Sequence, residues 1–347
     1  MKDFSPFNEE ESWTEGPSIN RSDGKEIHIE RIVSLLPVRY YWGWTIFAVA
    51  YLLVSNVFIA YFEKSLTYFI SSLILSILLA QQTIIIIWAK NKLNTIEKVL
   101  LEIVDLPQEE IRILWRGLKA RIFDDKKMIL MGLLMNVLAH VFHLDDLGYS
   151  YESAYSYIFI QYVYYGVHYF MGAGLYLLAA TLSAIYSLSK IPLNINSLIS
   201  RHVHFKGLLY SELTICAISV YLSWGIFYMT TPSRLTDKLS IIWFSSFAVI
   251  LLLYFILSQY IIHRMMTKAK RDNLGTFSAI LRSTAQEALK NPTKQNLICL
   301  RAIIDIQRQI DDMCQWPFGI YEILHIVLIV IIPLVVVILE IIFEVVR

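Results

Sequence analysis

Apolar residues in this chain come in blocks of about twenty, and that block length decides most of what the chain can become. A hydrocarbon layer about 30 Å thick is crossed by about twenty helical residues. Buried strands of soluble α/β proteins give apolar runs of only about 4–8. The blocks fall at 41–62, 67–89, 127–144, 155–188, 208–229, 240–262 and 320–343. Within lipid a segment must satisfy its own backbone hydrogen bonds, which leaves helices or a closed barrel, and blocks of this length suit helices. The expected fold is therefore all-α: a polytopic transmembrane helical bundle of about seven spans, with cytoplasmic helical hairpins. Composition agrees, at 56% hydrophobic and 17% charged residues, against about 25% charged in a soluble domain.

The polar stretches divide the chain. Residues 1–35 read as a cytoplasmic N-terminal tail, acidic at Glu9, Glu10, Glu11 and Glu15, unlike the start of a cleaved secretory signal. Residues 36–90 carry spans one and two. Residues 91–126 read as a cytoplasmic helical hairpin, with helices near 94–104 and 108–122. Pro107 opens the second, and Glu109 and Glu110 suit its N-terminus. Residues 127–263 hold spans three to six. Residues 264–317 read as a second cytoplasmic helical region, with helices at 276–290 and 293–314 about Asn291-Pro292, and 318–347 as span seven. The fourth block, Tyr155 to Leu188, counts 34 residues, about 51 Å of helix. It must tilt or project from the membrane, and Gly166, Gly172 and Gly174 are where it can bend or admit a close neighbour.

Charge sets the orientation. Nine lysines and arginines lie between Lys90 and Lys127. Arg264, Lys268, Lys270 and Arg271 follow span six, and Arg201 and Lys206 follow span four. The opposite loops carry Glu63, Lys64, Asp145, Asp146 and Glu152. The positive-inside rule places the N-terminus in the cytoplasm and the C-terminus outside, in an integral protein of the cell membrane.

Several function classes drop out. The net charge of +1 offers no surface for nucleic acid, and none is expected as a partner. Cys216, Cys299 and Cys314 show no CxxC spacing, so neither a disulfide framework nor a thiolate metal site is indicated. No phosphate-binding GxxxxGK[ST] or GxSxG nucleophile motif is present. No cofactor is expected; a zinc or iron site would rest on His140 and His143, three apart, with Asp145 as a third ligand.

Three features bear on function. Tyr165, His168 and Tyr169 cluster within the fourth block and could line a ligand pocket. Ionisable side chains inside a membrane tend to be functional, but few fall within the blocks, where Gln81, Gln82, Asn136 and Gln161 are polar without being charged. Span seven is a featureless isoleucine, leucine and valine run broken by Pro333 and closed by Glu340 and Glu344. The two glutamates lie four apart on one face, so symmetry would repeat them as acidic rings around a pore.

The leading reading is an oligomeric ion channel, a tetramer or pentamer favouring cations. Its pore would be lined by the C-terminal span, with Pro333, Glu340 and Glu344 as pore residues. Its partners would be the lipid bilayer, further copies of the chain and inorganic ions. The alternatives are a small-molecule transporter, a metal-dependent membrane enzyme, or a membrane sensor or scaffold. In span number and layout the chain resembles insect-type chemosensory receptors, which are seven-span tetrameric cation channels with an inward N-terminus and a cytoplasmic helical anchor. It departs from their C-terminal signature, since span seven opens Phe318-Gly319-Ile320-Tyr321-Glu322. The resemblance implies a channel and carries no site residue across.

Overall fold

The computed structural model describes residues 27–33, 40–58, 66–142, 154–191, 202–230 and 238–311. Among them are nine α-helices: α1 (His28–Val33), α2 (Tyr40–Phe58), α3 (Leu66–Ile103), α4 (Gln108–Ile122), α5 (Asp125–Val141), α6 (Ala154–Leu188), α7 (His202–Thr230), α8 (Lys238–Lys290) and α9 (Lys294–Asp311). The protein is all-α, as the block pattern requires.

Local chemistry explains the helix ends. Pro107 sits at the N-cap of α4 with Glu109 and Glu110 in the first turn and Lys119 and Arg121 in the last. Both sets of charge complement the helix dipole. Ile111, Trp115, Leu118 and Ile122 form its buried stripe, at the spacing of one helical face. Asp124 caps α5 by accepting the backbone N–H of Lys127.

Two helices are longer than the charge pattern suggests. α3 continues without a break from the second apolar block through the segment expected as a separate helix at 94–104, for 38 residues in all. α8 likewise runs 53 residues, merging the sixth block with the helix expected at 276–290. Lys90-Asn91-Lys92 and His263-Arg264 change the medium that a helix face meets, but none of them breaks a backbone. Gly275 costs about 1 kcal/mol in a helix interior, too little to end one.

Tyr68–Leu93, Tyr157–Leu188 and Ser245–Lys290 are long and apolar enough to cross a membrane, and Trp42–Val57 and Glu212–Phe227 are shorter apolar helices. The outward faces are apolar too. Trp42, Phe47, Leu53 and Val57 on α2 are exposed, as are Leu130, Leu133 and Val137 on α5 and Val249, Leu253 and Ile256 on α8. Contiguous apolar surface on this scale marks contact with lipid or a partner. The chain is a helical membrane protein. The count of seven spans rests on the sequence: α5, from the third block, is not among these apolar helices, and the seventh block lies outside the described residues.

Two cores are stacked along the bundle. One gathers Trp44, Leu75, Leu78, Ile87, Tyr164, Val167, Trp224 and Phe227 from α2, α3, α6 and α7. The other gathers Leu93, Trp115, Leu118, Ile185, Leu188, Met265 and Met266 from the far ends of α3, α6 and α8 and from α4. The long helices pass through both, so α3, α6 and α8 tie the apolar layer to a charged layer.

Helices α5 and α6 approach closely where glycine allows it. A Cβ on Gly132 would strike the Tyr169 ring, and one on Gly172 would strike the Met131 carbonyl. Gly166 meets only Leu79 at 3.9 Å, and at Gly174 a Cβ would meet nothing within 4 Å. Gly172 thus admits a neighbour, while α6 is one unbroken helix through all three positions. Gly172→Leu is expected to destabilise the fold by about 1–3 kcal/mol, read as a lower Tm in nanodiscs. Gly174→Ala should leave the Tm unchanged or slightly higher.

Candidate functional site

α3 packs on both α6 and α7, and α8 closes against the same two helices from the opposite side. The four make a ring in which α6 and α7 face each other across the middle. Four cylinders arranged so cannot all touch at the centre, and side chains there are not large enough to fill it. A cavity of about 100 Å³ remains, walled by Ile86, Phe170, Leu178, Trp224, Phe247 and Leu251. Gly174 and Ala217 widen it by carrying little or no side chain. Among the described residues, Gln82 and Tyr221 are the polar members of its lining besides the tryptophan N–H groups, and no charged side chain lines it. An apolar space of this size suits a molecule no larger than a single small ring. An ion would find no charge and almost no oxygen to replace its water.

Adjacent glutamines on α3 tie the ring together. With its amide assigned from the hydrogen-bond network, Gln82 donates to the Val167 carbonyl at 2.8 Å and accepts from Trp224 Nε1 at 3.1 Å. Gln81 donates to Ser219 Oγ on α7 at 3.0 Å. Gln82 therefore links α3 to α6 and α7 at once, on the chamber wall. On the far side, Thr181 Oγ1 of α6 lies 3.2 Å from Tyr254 Oη of α8. Each bond crosses between helices in a medium without competing water, where such pairs stabilise by about 1 kcal/mol.

The tyrosine and histidine cluster of α6 splits three ways. Tyr165 Oη lies 3.3 Å from His140 Nδ1 on α5. His168 is fully buried, its Nδ1 3.0 Å from the Tyr164 carbonyl and its ring against Tyr164 and Trp224. Tyr169 Oη lies 2.8 Å from His28 Nε2. None of the three is in the chamber lining, although His168 stands behind its wall through Trp224. His140 is the described member of the metal candidates; His143 and Asp145 lie outside the described residues, as do Pro333, Glu340 and Glu344. Among the described residues no group of three histidine, cysteine or carboxylate side chains could hold a metal ion.

A second constellation sits where the two cores meet, and sequence reasoning did not find it. Residues 27–33, within the expected N-terminal tail, dock with Ile27, Ile29, Glu30 and Val33 buried. Glu30 of α1 pairs with Lys90 of α3 and also accepts the Ile27 backbone N–H at 3.0 Å. Asp125, at the start of α5, accepts the His28 backbone N–H at 2.8 Å. It also faces His28 Nδ1 at 2.6 Å and pairs with Arg31. With the ring proton on Nδ1 toward Asp125, Nε2 is left to accept from the Tyr169 hydroxyl. Trp44 Nε1 closes the set by donating to the Ile29 carbonyl at 3.2 Å. Partial burial acts to raise the Asp125 pKa, but the hydrogen bonds from His28 and the nearby charge of Arg31 together hold it below its ordinary 3.8. Six residues of α1 thus fasten α2, α3, α5 and α6. Nothing in the local sequence signals a bond between residues 30 and 90, which only tertiary packing brings together.

No family model, no curated protein and no solved structure matches this chain.

The clasp makes a sharp energetic prediction. Lys90→Met strands a buried carboxylate, and breaking a buried pair in this way costs about 3–5 kcal/mol. Adding Glu30→Gln removes the stranded charge. The double variant should therefore be more stable than the sum of the two single losses, as read by a double-mutant cycle on unfolding in detergent.

Proposed function

We propose that the chain is the subunit of an oligomeric membrane ion channel, favouring cations, whose opening responds to a small apolar molecule held in the four-helix chamber. The observation that carries this reading is the chamber itself: partly open, lined by apolar walls, tied by Gln82, and without a charged side chain among the described residues that line it. Such a space suits a neutral ligand and is unsuited to an ion. An ion path therefore belongs between copies of the chain, along 318–347, where Pro333 permits a bend and Glu340 and Glu344 supply acidic rings. The exposed apolar faces of α2, α5 and α8 offer surface for lipid and for neighbouring copies. In this reading the N-terminus and the charged layer of α4 and α9 lie in the cytoplasm, in keeping with the positive-inside rule.

A ligand gates only if it binds one state better than the other. α3, α6, α7 and α8 all line the chamber, so occupancy bears on the spacing of four helices together. Three of these continue into the charged layer, which gives the chamber a mechanical route out of the membrane plane. The same chamber suits a transporter for small apolar molecules. Vesicle uptake of such a molecule without conductance would favour that function.

Reconstituted protein decides the matter. A discrete tetramer or pentamer in nanodiscs and cation conductance are expected, with Glu340→Gln lowering cation preference. Gly174→Phe should fill the chamber and weaken the response to apolar agonists at least tenfold, leaving the assembly intact. A monomer without ion flux under any agonist or voltage would sink the channel reading.

A further inference from the structure

A second groove, of about 300 Å³, opens on the outside of the bundle between the end of α4, the start of α5 and the lower half of α6. Its rim carries Arg121 and Lys127, its floor Ala180 and Ala184, and its wall Ser183 and Ser187. Tyr176 fixes the shape by donating its hydroxyl to the Arg121 carbonyl, which holds the last turn of α4 against α6. Among the described residues no carboxylate pairs with the Arg121 guanidinium, and its side chain is exposed. Lys127 Nζ lies 3.2 Å from Asp124 Oδ2. Lys126 beside it is exposed as well, and Asp125 is engaged by His28 and Arg31. Two cations of the groove, Arg121 and Lys127, thus face one available carboxylate, Asp124, so the groove carries a net positive charge.

Its position is as informative as its charge. Lys127 lies one helical turn before Leu130 on α5, and from there the exposed face of α5 is apolar through Leu133, Leu134, Val137 and Val141. A cationic groove opening onto an apolar strip matches an amphiphile: an anionic head with acyl chains rising along the strip. Arginine and lysine side by side with hydroxyl donors are the groups that recognise phosphate oxygens.

We infer that this groove binds the phosphate of an anionic membrane lipid, with Arg121 and Lys127 as its charged ligands and the α5 face as the track for its acyl chains. Phosphate oxygens are the shared chemistry of a lipid head and of a soluble phosphate; the adjoining apolar strip selects the lipid. With the orientation proposed above, the site faces the inner leaflet, where anionic lipids are concentrated. It stands whether or not the chain conducts ions. A lipid seated here bridges α4, α5 and α6 and so stiffens the join between the membrane and charged layers.

The test is native mass spectrometry of the full chain with dioleoyl phosphatidic acid, against dioleoyl phosphatidylcholine as the zwitterionic control. Phosphatidic acid should be retained preferentially, and Arg121→Gln with Lys127→Gln should weaken it about tenfold or more. Both side chains are exposed, so the variant folds. Asp124→Asn keeps the α5 cap, because asparagine caps as well as aspartate, but removes the one opposing charge. It should tighten retention, a gain that a merely structural role for these residues does not produce. Equal retention of the two lipids, or no loss in the double glutamine variant, overturns the assignment. So does displacement of the lipid by millimolar inorganic phosphate, which would make the ligand a soluble one.

Discussion

Helices in lipid satisfy their own backbone, and the hydrocarbon around them is as apolar as their side chains. The hydrophobic effect therefore gives them little reason to gather. What joins them is close approach and the few polar groups that have nowhere else to bond. Here Gly132 and Gly172 let α5 lie directly on α6. Gln81 and Gln82 join α3 to its two neighbours in the ring. The architecture depends on these contacts more than on the many leucines and isoleucines, which would be as well placed facing lipid.

The same constraint explains the chamber. Polar ties fix the helices around a ring without demanding that its centre be filled, because an unfilled centre exposes no backbone polar group. Side chains such as Phe170, Trp224 and Phe247 narrow the space but do not close it. The ring is held at Gln82 on one side and at Thr181 and Tyr254 on the other, so its width is set by hydrogen bonds rather than by core volume. That arrangement suits reception of a neutral molecule better than passage of an ion.

Among the described residues the buried charged side chains, Glu30 and Lys90, lie at the junction between the two cores. At the junction α1 inserts a carboxylate against Lys90 and a histidine between Asp125 and Tyr169. A buried ion pair is weak evidence for stability, since desolvation offsets its attraction. Its value here is positional: it holds one short helix against four long ones at the level where the medium changes. The basic groove of Arg121 and Lys127 lies at that level on the outer surface, so both faces of the junction are built from charge.

Block length and charge bias alone determined that this chain is an all-α membrane protein, since twenty apolar residues in succession admit few other fates. They also marked the start of α4, because Pro107 and the acids after it act locally. Helix continuity past Lys90 and past His263 was not legible, because solvation, unlike proline, leaves the backbone free to continue. The adjacent glutamines could be seen as polar intruders, but not which helices they join. Tyr165, His168 and Tyr169 look like one cluster along the chain, yet the packing of α5, α7 and α1 draws each toward a different partner. The chamber, the Glu30–Lys90 pair and the basic groove came only with the tertiary structure. Each is made from residues dozens of positions apart, and polar contacts across helices depend on rotation and depth, which no linear pattern of hydrophobicity encodes.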